Sequence, residues 1–428
     1  MQKKVLVIGG GLAGLSAAAY LSKNNYKVKL LESSPKLGGR TYSFLDKETN
    51  TILDNGQHIL MGCYNETLNF LSLIDALKNF EIQKSLNVNF VKEGYKVFKL
   101  KSFPFFYPFN LSIAALNYKA INLSERLKLI KVFLKLQFYS DKKLSLMNVK
   151  EWLEKENQSG NVQNAFWKIL AVGALNSSLG KASAKIFVDI LRQIFANGKS
   201  AATIILPKFG LTESFCKDAE EFIKNNDGEI FLSETVTRLA INDARVTEVH
   251  SPNKVYKDFD FVVSAIPVFA LFRILEKKDQ INIPEFTYST IINIHLWLKE
   301  KSFPQGFFGL INSTLHWVFN KGSHLNIVIS DAGELASKSD QELIEMCKSE
   351  MQKFFLLNPE MISNYKIIKE KRATFIPSID ILDKRPQQKI EIKNIILAGD
   401  WVDTGLPSTI ESAVNSGRVA ADLILNMN

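Results

Sequence analysis

Cysteine is scarce: Cys63, Cys216 and Cys347 are the only three in 428 residues, widely separated, odd in number and in no CxxC pair. That excludes a disulfide framework or a cysteine-based metal centre and points to reduced thiols in a cytoplasmic compartment. The five histidines, at 58, 250, 295, 316 and 324, show no metal-ligand spacing. No stretch reaches the roughly 18 uninterrupted apolar residues that a bilayer span needs. The start, Met1-Gln2-Lys3-Lys4 and then an apolar run, has the outline of a signal peptide. Glycines at 9, 10, 11 and 14 and the lack of a cleavage site argue against one. Zinc-finger spacing, a basic-zipper region, an RRM-like aromatic motif, a nucleophile elbow, a Walker loop, repeats and low-complexity tracts are all missing, so nucleic acid is not expected as a partner. The expectation is a cytoplasmic protein, soluble or peripheral on the inner face of the cell membrane.

What is abundant is phenylalanine, with 30 residues, and positive charge, with a formal net of +9 carried mostly by lysine. Apolar residues make up 46% and charged residues 23%, the balance of a folded globular protein. A chain this long exceeds what one hydrophobic core supports, so two domains are expected. Between 103 and 143 an aromatic, proline-broken stretch, FPFFYPFN, precedes two helical segments. In the second, Lys128, Lys131 and Lys135 share a helical stripe, with Leu127, Ile130, Leu134 and Phe138 displaced around the cylinder. Such a basic amphipathic helix suits either a membrane interface or a solvated face of the second domain.

Residues 4–9, KVLVIG, read as a buried parallel strand, 12–21 as a helix and 27–31 as a second strand. Helical spacing returns at 63–80, and strands broken by Glu93-Gly94 occupy 86–101. From 161 to 223 the pattern is helical, interrupted at Asn197-Gly198 and at 207–210. Residues 229–236, 246–250 and 261–265 read as strands, and 287–298, 315–320 and 325–330 as a largely antiparallel second sheet. A helix at 340–355 precedes a strand pair, and 395–398 returns as a parallel strand.

Between the first strand and helix lies Gly9-Gly10-Gly11-Leu12-Ala13-Gly14, a GxGxxG. Gly9 permits the tight turn, Gly11 lets the backbone approach a pyrophosphate, and Gly14 lets the helix pack on the strand. The helix start at Leu12 and Ala13 then faces the phosphates. Glu32, eighteen positions beyond Gly14, ends the second strand where a ribose-binding acid is expected. A second GxGxxG is absent, and with it a separate NAD(P)H domain.

Leu37-Gly38-Gly39-Arg40 follows closely, and this GGR extension resembles the flavin-containing amine oxidase and phytoene desaturase superfamily. Within it the sequence resembles the squalene-associated desaturases now called hydroxysqualene dehydroxylases of the hopanoid pathway. The resemblance runs the whole length through GGGLAGLSAA, LGGRTYSF, DNGQHILMG, ALN at 174–176, LPKFGL, EKRATF, LAGDW and TGLPSTIESAVNSGR. DNGQH and EKRATF are specific to that branch.

The implied fold is α/β: a discontinuous, GR2-like Rossmann-type FAD-binding domain from 1–85, 205–268 and 386–428, with a mixed-sheet plus helical substrate domain from 86–204 and 269–385. The resemblance places Gly39 and Arg40 beside the FAD diphosphate, Val236 at the adenine, Gly399 and Asp400 near the phosphoribityl chain, and Thr409 and Ile410 at the flavin edge. No cysteine lies between 398 and 428, so FAD is expected to be non-covalent. In the turn Asp54-Asn55-Gly56-Gln57-His58, His58 and Asp54 are the candidates to supply a proton, and a structural role for His58 stands equally. The implied reaction is reductive loss of hydroxyl from hydroxysqualene to give squalene, with an external reductant, NADPH or a reductase, recharging the flavin. Oxidative desaturation of a C30 or C40 polyene and non-catalytic isoprenoid binding, as in GDI-like proteins, remain as alternatives.

Overall fold

The first apolar run forms the centre of a five-stranded parallel sheet in the order Glu229–Phe231, Lys27–Leu31, Lys4–Ile8, Phe261–Ser264, Ile395–Leu397. The structure is a computed structural model and describes residues 2–427 except 104, 106, 108, 197, 276–280 and 301. A near-continuous hydrophobic strand is what a sheet covered on both faces requires. Val5 and Val7 point into a core with the helices Leu12–Lys23, Asp218–Asn225 and Ile410–Leu425, whereas Leu6 and Ile8 enter the core beneath the small sheet at 238–256. Segments far apart in sequence thus share one sheet, and the mixed α/β fold class stands.

The first and last helices approach closely: a Cβ at Gly417 would lie 2.1 Å from the Ala13 carbonyl oxygen. Arg418, one residue on, reaches back to Glu66.

The second sheet has seven strands in the order Ile362–Phe375, Tyr288–Leu298, Leu325–Ile329, Trp317–Asn320, Phe307–Leu310, Asn87–Lys92, Lys96–Lys101. All pairs are antiparallel except Phe307–Leu310 with Asn87–Lys92. Along Tyr288–Leu298 the period of two sends Ile292, Ile294 and Leu296 into a core under helix Asp340–Phe355. Ile291 and Asn293 face the opposite side, where the helical region from 110 to 196 packs around Trp152, Trp167 and Phe187.

Three expectations from sequence are corrected. Ile204–Pro207, read inside a helical stretch, is a strand between Leu60–Met61 and Phe80–Ile82. A four-residue apolar run that opens with two β-branched isoleucines and ends at a proline is too short to hold a helix but fills a gap between two distant segments. The strand read over 229–236 ends at Phe231, because Ser233 takes φ 55° and the chain folds over Glu32, whose carbonyl accepts from the Glu234 amide. The strand pair expected before 395 is one strand, Ile362–Phe375. Its register against Tyr288–Leu298 slips between Ser289 and Ile291, opposite Thr374 and Glu370. Two extra residues bulge there, as bulges often do beside functional sites. Pro104, Phe106, Pro108 and Asn197 fall outside the described residues.

Candidate functional site

One cavity of about 1290 Å³ opens between the two sheets and exceeds the ~300–1,000 Å³ of a single small-molecule site. Its walls include Gly9, Gly11, Leu12, Ala13, Glu32, Gly39, Arg40, His58, Val236, Gly399, Asp400, Thr409 and Ile410. Gly14 is not in the wall: a Cβ there would sit 1.9 Å from the Gly9 carbonyl oxygen, so its task is to seat the helix on the turn.

The opening motif makes a cradle. Gly9 takes φ +104°, where a side chain would strike the Ala265 carbonyl, and Gly39 takes φ +59°. A Cβ on Gly11 would meet only the Gly39 Cα, at 3.9 Å, and would otherwise occupy the cavity. Gly11 caps the helix without a side-chain acceptor, so the first amides remain available to an anion. The Glu32 carboxylate is held by the Gly10 and Ser34 amides at 2.6 and 2.7 Å, at the end of its strand. Val236 lies in the extended segment that folds over it.

Arg40 joins the two ends of the chain. One guanidinium nitrogen lies 2.5 Å from Asp400 Oδ1, and the other donates to the Ala373 carbonyl at 2.7 Å, inside the bulge. Burial pushes the Asp400 carboxyl up, but the Arg40 charge and hydrogen bond, with the Ser408 hydroxyl on Oδ2, outweigh it and hold the group below the ordinary carboxylate range. Thr409 caps the last helix, its hydroxyl accepting from the Ser412 amide at 3.2 Å. Two helix N-termini, a fork-shaped cation and a buried acid at a strand end are the donor set a dinucleotide bearing a flavin requires, so the residues present fit FAD.

The DNGQH turn supports this cradle from behind. Asn55 spans the GGR segment, donating to the Arg40 carbonyl at 2.9 Å and accepting from the Tyr42 amide at 3.2 Å. Asp54, a candidate proton source, is not brought to the cavity. Its Oδ1 accepts from the Ser43 hydroxyl at 2.7 Å and the Leu211 amide at 2.9 Å, with Lys321 3.5 Å from Oδ2. Both oxygens are thereby committed to the scaffold. His58 does line the cavity, half-buried; burial lowers its pKa, while a hydrogen bond to the Arg40 backbone and the Asp54 charge pull the other way. Behind it His295 and His324, with ring centroids 5.0 Å apart, are pushed by burial to about 3 and about 4 and stay neutral.

Sequence reasoning missed several supports. Arg385 is buried and donates to the carbonyls of Asp400 at 2.9 Å, Leu406 at 2.7 Å and Val402, clamping the loop before the last helix. Gln388 bridges the carbonyls of Leu397 and Ser416 at 2.8 and 2.7 Å. Glu411 caps helix Asn65–Leu73 in trans through the amides of Glu66 and Thr67, both at 2.9 Å. Nothing local marks Arg385 or Gln388, whereas an acid in the first turn of the last helix is visible. Asn176, in the ALN motif, takes φ 47° and joins Thr374 to the Asp331 amide. Among the described residues there is no metal-binding cluster and no helix long and apolar enough to cross a membrane, and the three cysteines are free and buried.

Residues 12–425 match the family described as flavin containing amine oxidoreductase. The chain is 27% identical to a hydroxysqualene dehydroxylase from Zymomonas mobilis over 98% of both chains. It is 25% identical to a 15-cis-phytoene desaturase from an Oncidium hybrid, over 99% of this chain and 78% of that one. An oxidoreductase from Methanosarcina mazei shares the fold with a TM-score of 0.74 at 16% identity, covering 98% of this chain and all of the other. A family match that runs from the first helix through the arginine to the final helix settles the assignment: the chain belongs to the flavin-containing amine oxidoreductases and is an FAD-dependent oxidoreductase.

Proposed function

We propose that this enzyme converts hydroxysqualene to squalene by reductive dehydroxylation. The observation that carries the reading is the cavity itself, which continues from the cradle to a wall of Ile59, Tyr64, Ile291, Trp317, Phe319 and Val328. A squalene-sized ligand offers almost only apolar area, worth roughly 25 cal/mol per Å² buried, and such a wall supplies it. The full-length relative named for this reaction supports the choice of substrate.

In this reading Gly9, Gly11, Leu12, Ala13 and Arg40 hold the diphosphate, Glu32 and Val236 the ribose and adenine, and Gly39, Gly399, Asp400, Thr409 and Ile410 the flavin half of a non-covalent FAD. The cofactor domain comprises 1–85, 205–268 and 386–428. When bound and recharged by an external reductant, FAD would supply hydride chemistry at this site, and the hydroxyl would leave as water with one proton. The chain's own contribution is to exclude bulk water with the apolar wall and to hold that proton at the His58 imidazole, which lines the cavity.

The lipid is proposed to arrive from a membrane surface at 103–143. Phe103, Phe105, Tyr107, Phe109, Leu123, Leu127, Leu134 and Phe138 are exposed there, Phe105 to 69% and Phe138 to 86%, alongside Lys128 and Lys131.

The test is anaerobic incubation of holoenzyme and chemically reduced flavin with hydroxysqualene; an extract containing no squalene defeats the proposal. The phytoene desaturase relative favours a second reading, hydride transfer from a polyene to oxidised FAD. New conjugated-polyene absorption from phytoene and oxidised enzyme would select it.

A further inference from the structure

We infer that Asn293 recognises the hydroxyl group of the substrate and so makes the site selective for an isoprenoid alcohol over the corresponding hydrocarbon; the identity of the alcohol rests on the function proposed above. Asn293 lines the cavity and is 1% exposed, on the inward face of strand Tyr288–Leu298. Its side chain meets the DNGQH turn: Nδ2 donates to the Asn55 carbonyl at 3.2 Å, and a Cβ on Gly56 would lie 3.3 Å from the same nitrogen. That bond fixes which way round the amide sits, since a carbonyl accepts only from the nitrogen. The Oδ1 is then left buried with no donor among the described residues.

A buried carbonyl oxygen without a donor is costly, and one in a cavity wall calls for a ligand donor. The neighbours sharpen what that ligand is. Ile291, two residues earlier on the same face, and Val328, the register partner of Asn293, are both apolar cavity walls. Beside these apolar walls the oxygen suits one neutral O–H on an otherwise apolar molecule. Squalene or a polyene offers no donor and leaves Oδ1 unpaired; an alcohol pairs it. Held this way, the carbon bearing the hydroxyl is placed beside the DNGQH turn, whose His58 lines the same cavity.

The test uses oxidised holoenzyme, which binds without turning over, titrated separately with hydroxysqualene and squalene in matched detergent while flavin absorbance is followed. Wild type is expected to prefer the alcohol by about tenfold. Asn293→Leu, of similar shape, and Asn293→Ala, in case the first does not fold, are expected to lose that preference while keeping their FAD content, visible flavin spectrum and squalene affinity. Equal affinities in wild type, or a preference that survives in the variants, overturn the inference. So does a shifted flavin spectrum with preference unchanged, which assigns the oxygen to the cofactor. A preference dependent on Asn293 in an enzyme that makes no squalene when reduced upholds alcohol recognition and rejects the proposed reaction. Squalene formation with a preference indifferent to Asn293 does the reverse.

Discussion

Replacing Arg40 by Met keeps the aliphatic stem and removes the charge that faces Asp400. Asp400 is then a buried carboxylate, its side chain 7% exposed, whose remaining side-chain partner is the Ser408 hydroxyl. Breaking a fully buried pair by removing one partner costs ~3–5 kcal/mol, and an exposed pair is worth about 0–1 kcal/mol. Because the Arg40 side chain is 41% exposed, the expected loss lies between them, about 2 kcal/mol. Asp400→Asn is milder, about 1 kcal/mol, since Arg40 keeps water and the Ala373 carbonyl. The double variant should match Asp400→Asn rather than the sum.

Urea unfolding monitored by tryptophan fluorescence, at saturating FAD and again after flavin removal, separates this term from weakened cofactor binding. The sign with pH is also set. In wild type the folded Asp400 carboxyl lies below its ordinary range, so its stabilisation is present above about pH 4 and is lost as pH falls through the lower folded value. In Arg40→Met burial is opposed only by the Ser408 hydroxyl and a backbone hydrogen bond, so the folded value rises relative to wild type and the loss of stability on acidification shrinks. Additive losses in the double variant, or an unchanged acid limb in Arg40→Met, would refute the coupling.

Other outcomes follow from the same geometry. Gly417→Ala should cost about 1–3 kcal/mol by forcing apart the first and last helices, with weaker FAD retention, whereas Gly333→Ala, where a Cβ meets nothing within 4 Å, should be nearly silent; thermal melts of the holoproteins compare them. If His58 gives the proton, turnover of hydroxysqualene rises as pH falls below 6.5 toward the lowered His58 value, and His58→Gln flattens that limb; an identical profile in the variant removes His58 from the role. Leu134→Ser with Phe138→Ser should weaken binding to anionic liposomes by roughly tenfold or more in a flotation assay. For the charged face, Lys128 and Lys131 are the positions to reverse, because Lys135 is engaged by Glu156 at 2.8 Å.

Local signals carried much of the fold into view. KVLVIG, with turn glycines after it, occurs where only a doubly covered strand tolerates such apolarity, and Ser339 with Glu342 forms the capping box that opens helix Asp340–Phe355 where the periodicity places it. What escaped was set by long-range partners. Ile204–Pro207 is a strand only because Leu60–Met61 and Phe80–Ile82 arrive on either side. Arg385 looks like one more surface cation until the chain returns to surround it with carbonyls. Asp54 has the chemistry of a proton donor in a promising motif, and only the positions of Ser43 and Leu211 at Oδ1 and of Lys321 near Oδ2 show that its oxygens are already spent on the scaffold.

A finer signal lay in the alternation of strand Tyr288–Leu298. Its outward series, Ile292, Ile294 and Leu296, is uniformly apolar, as a core demands. The opposite series passes through Ile291, Asn293 and His295, two of them polar although 1% and 0% exposed. Polar residues at consecutive buried positions of one face need partners, and the two differ in what they find. His295 is kept neutral by burial, meets Asn326 across the register and holds a hydrogen bond to the Asp54 backbone, so it belongs to the scaffold behind the turn. Asn293 spends its nitrogen on Asn55 and has no donor for its oxygen among the described residues. Since both sit on the same strand with the same burial, that one missing donor distinguishes a wall residue that supports the site from one that reads what enters it.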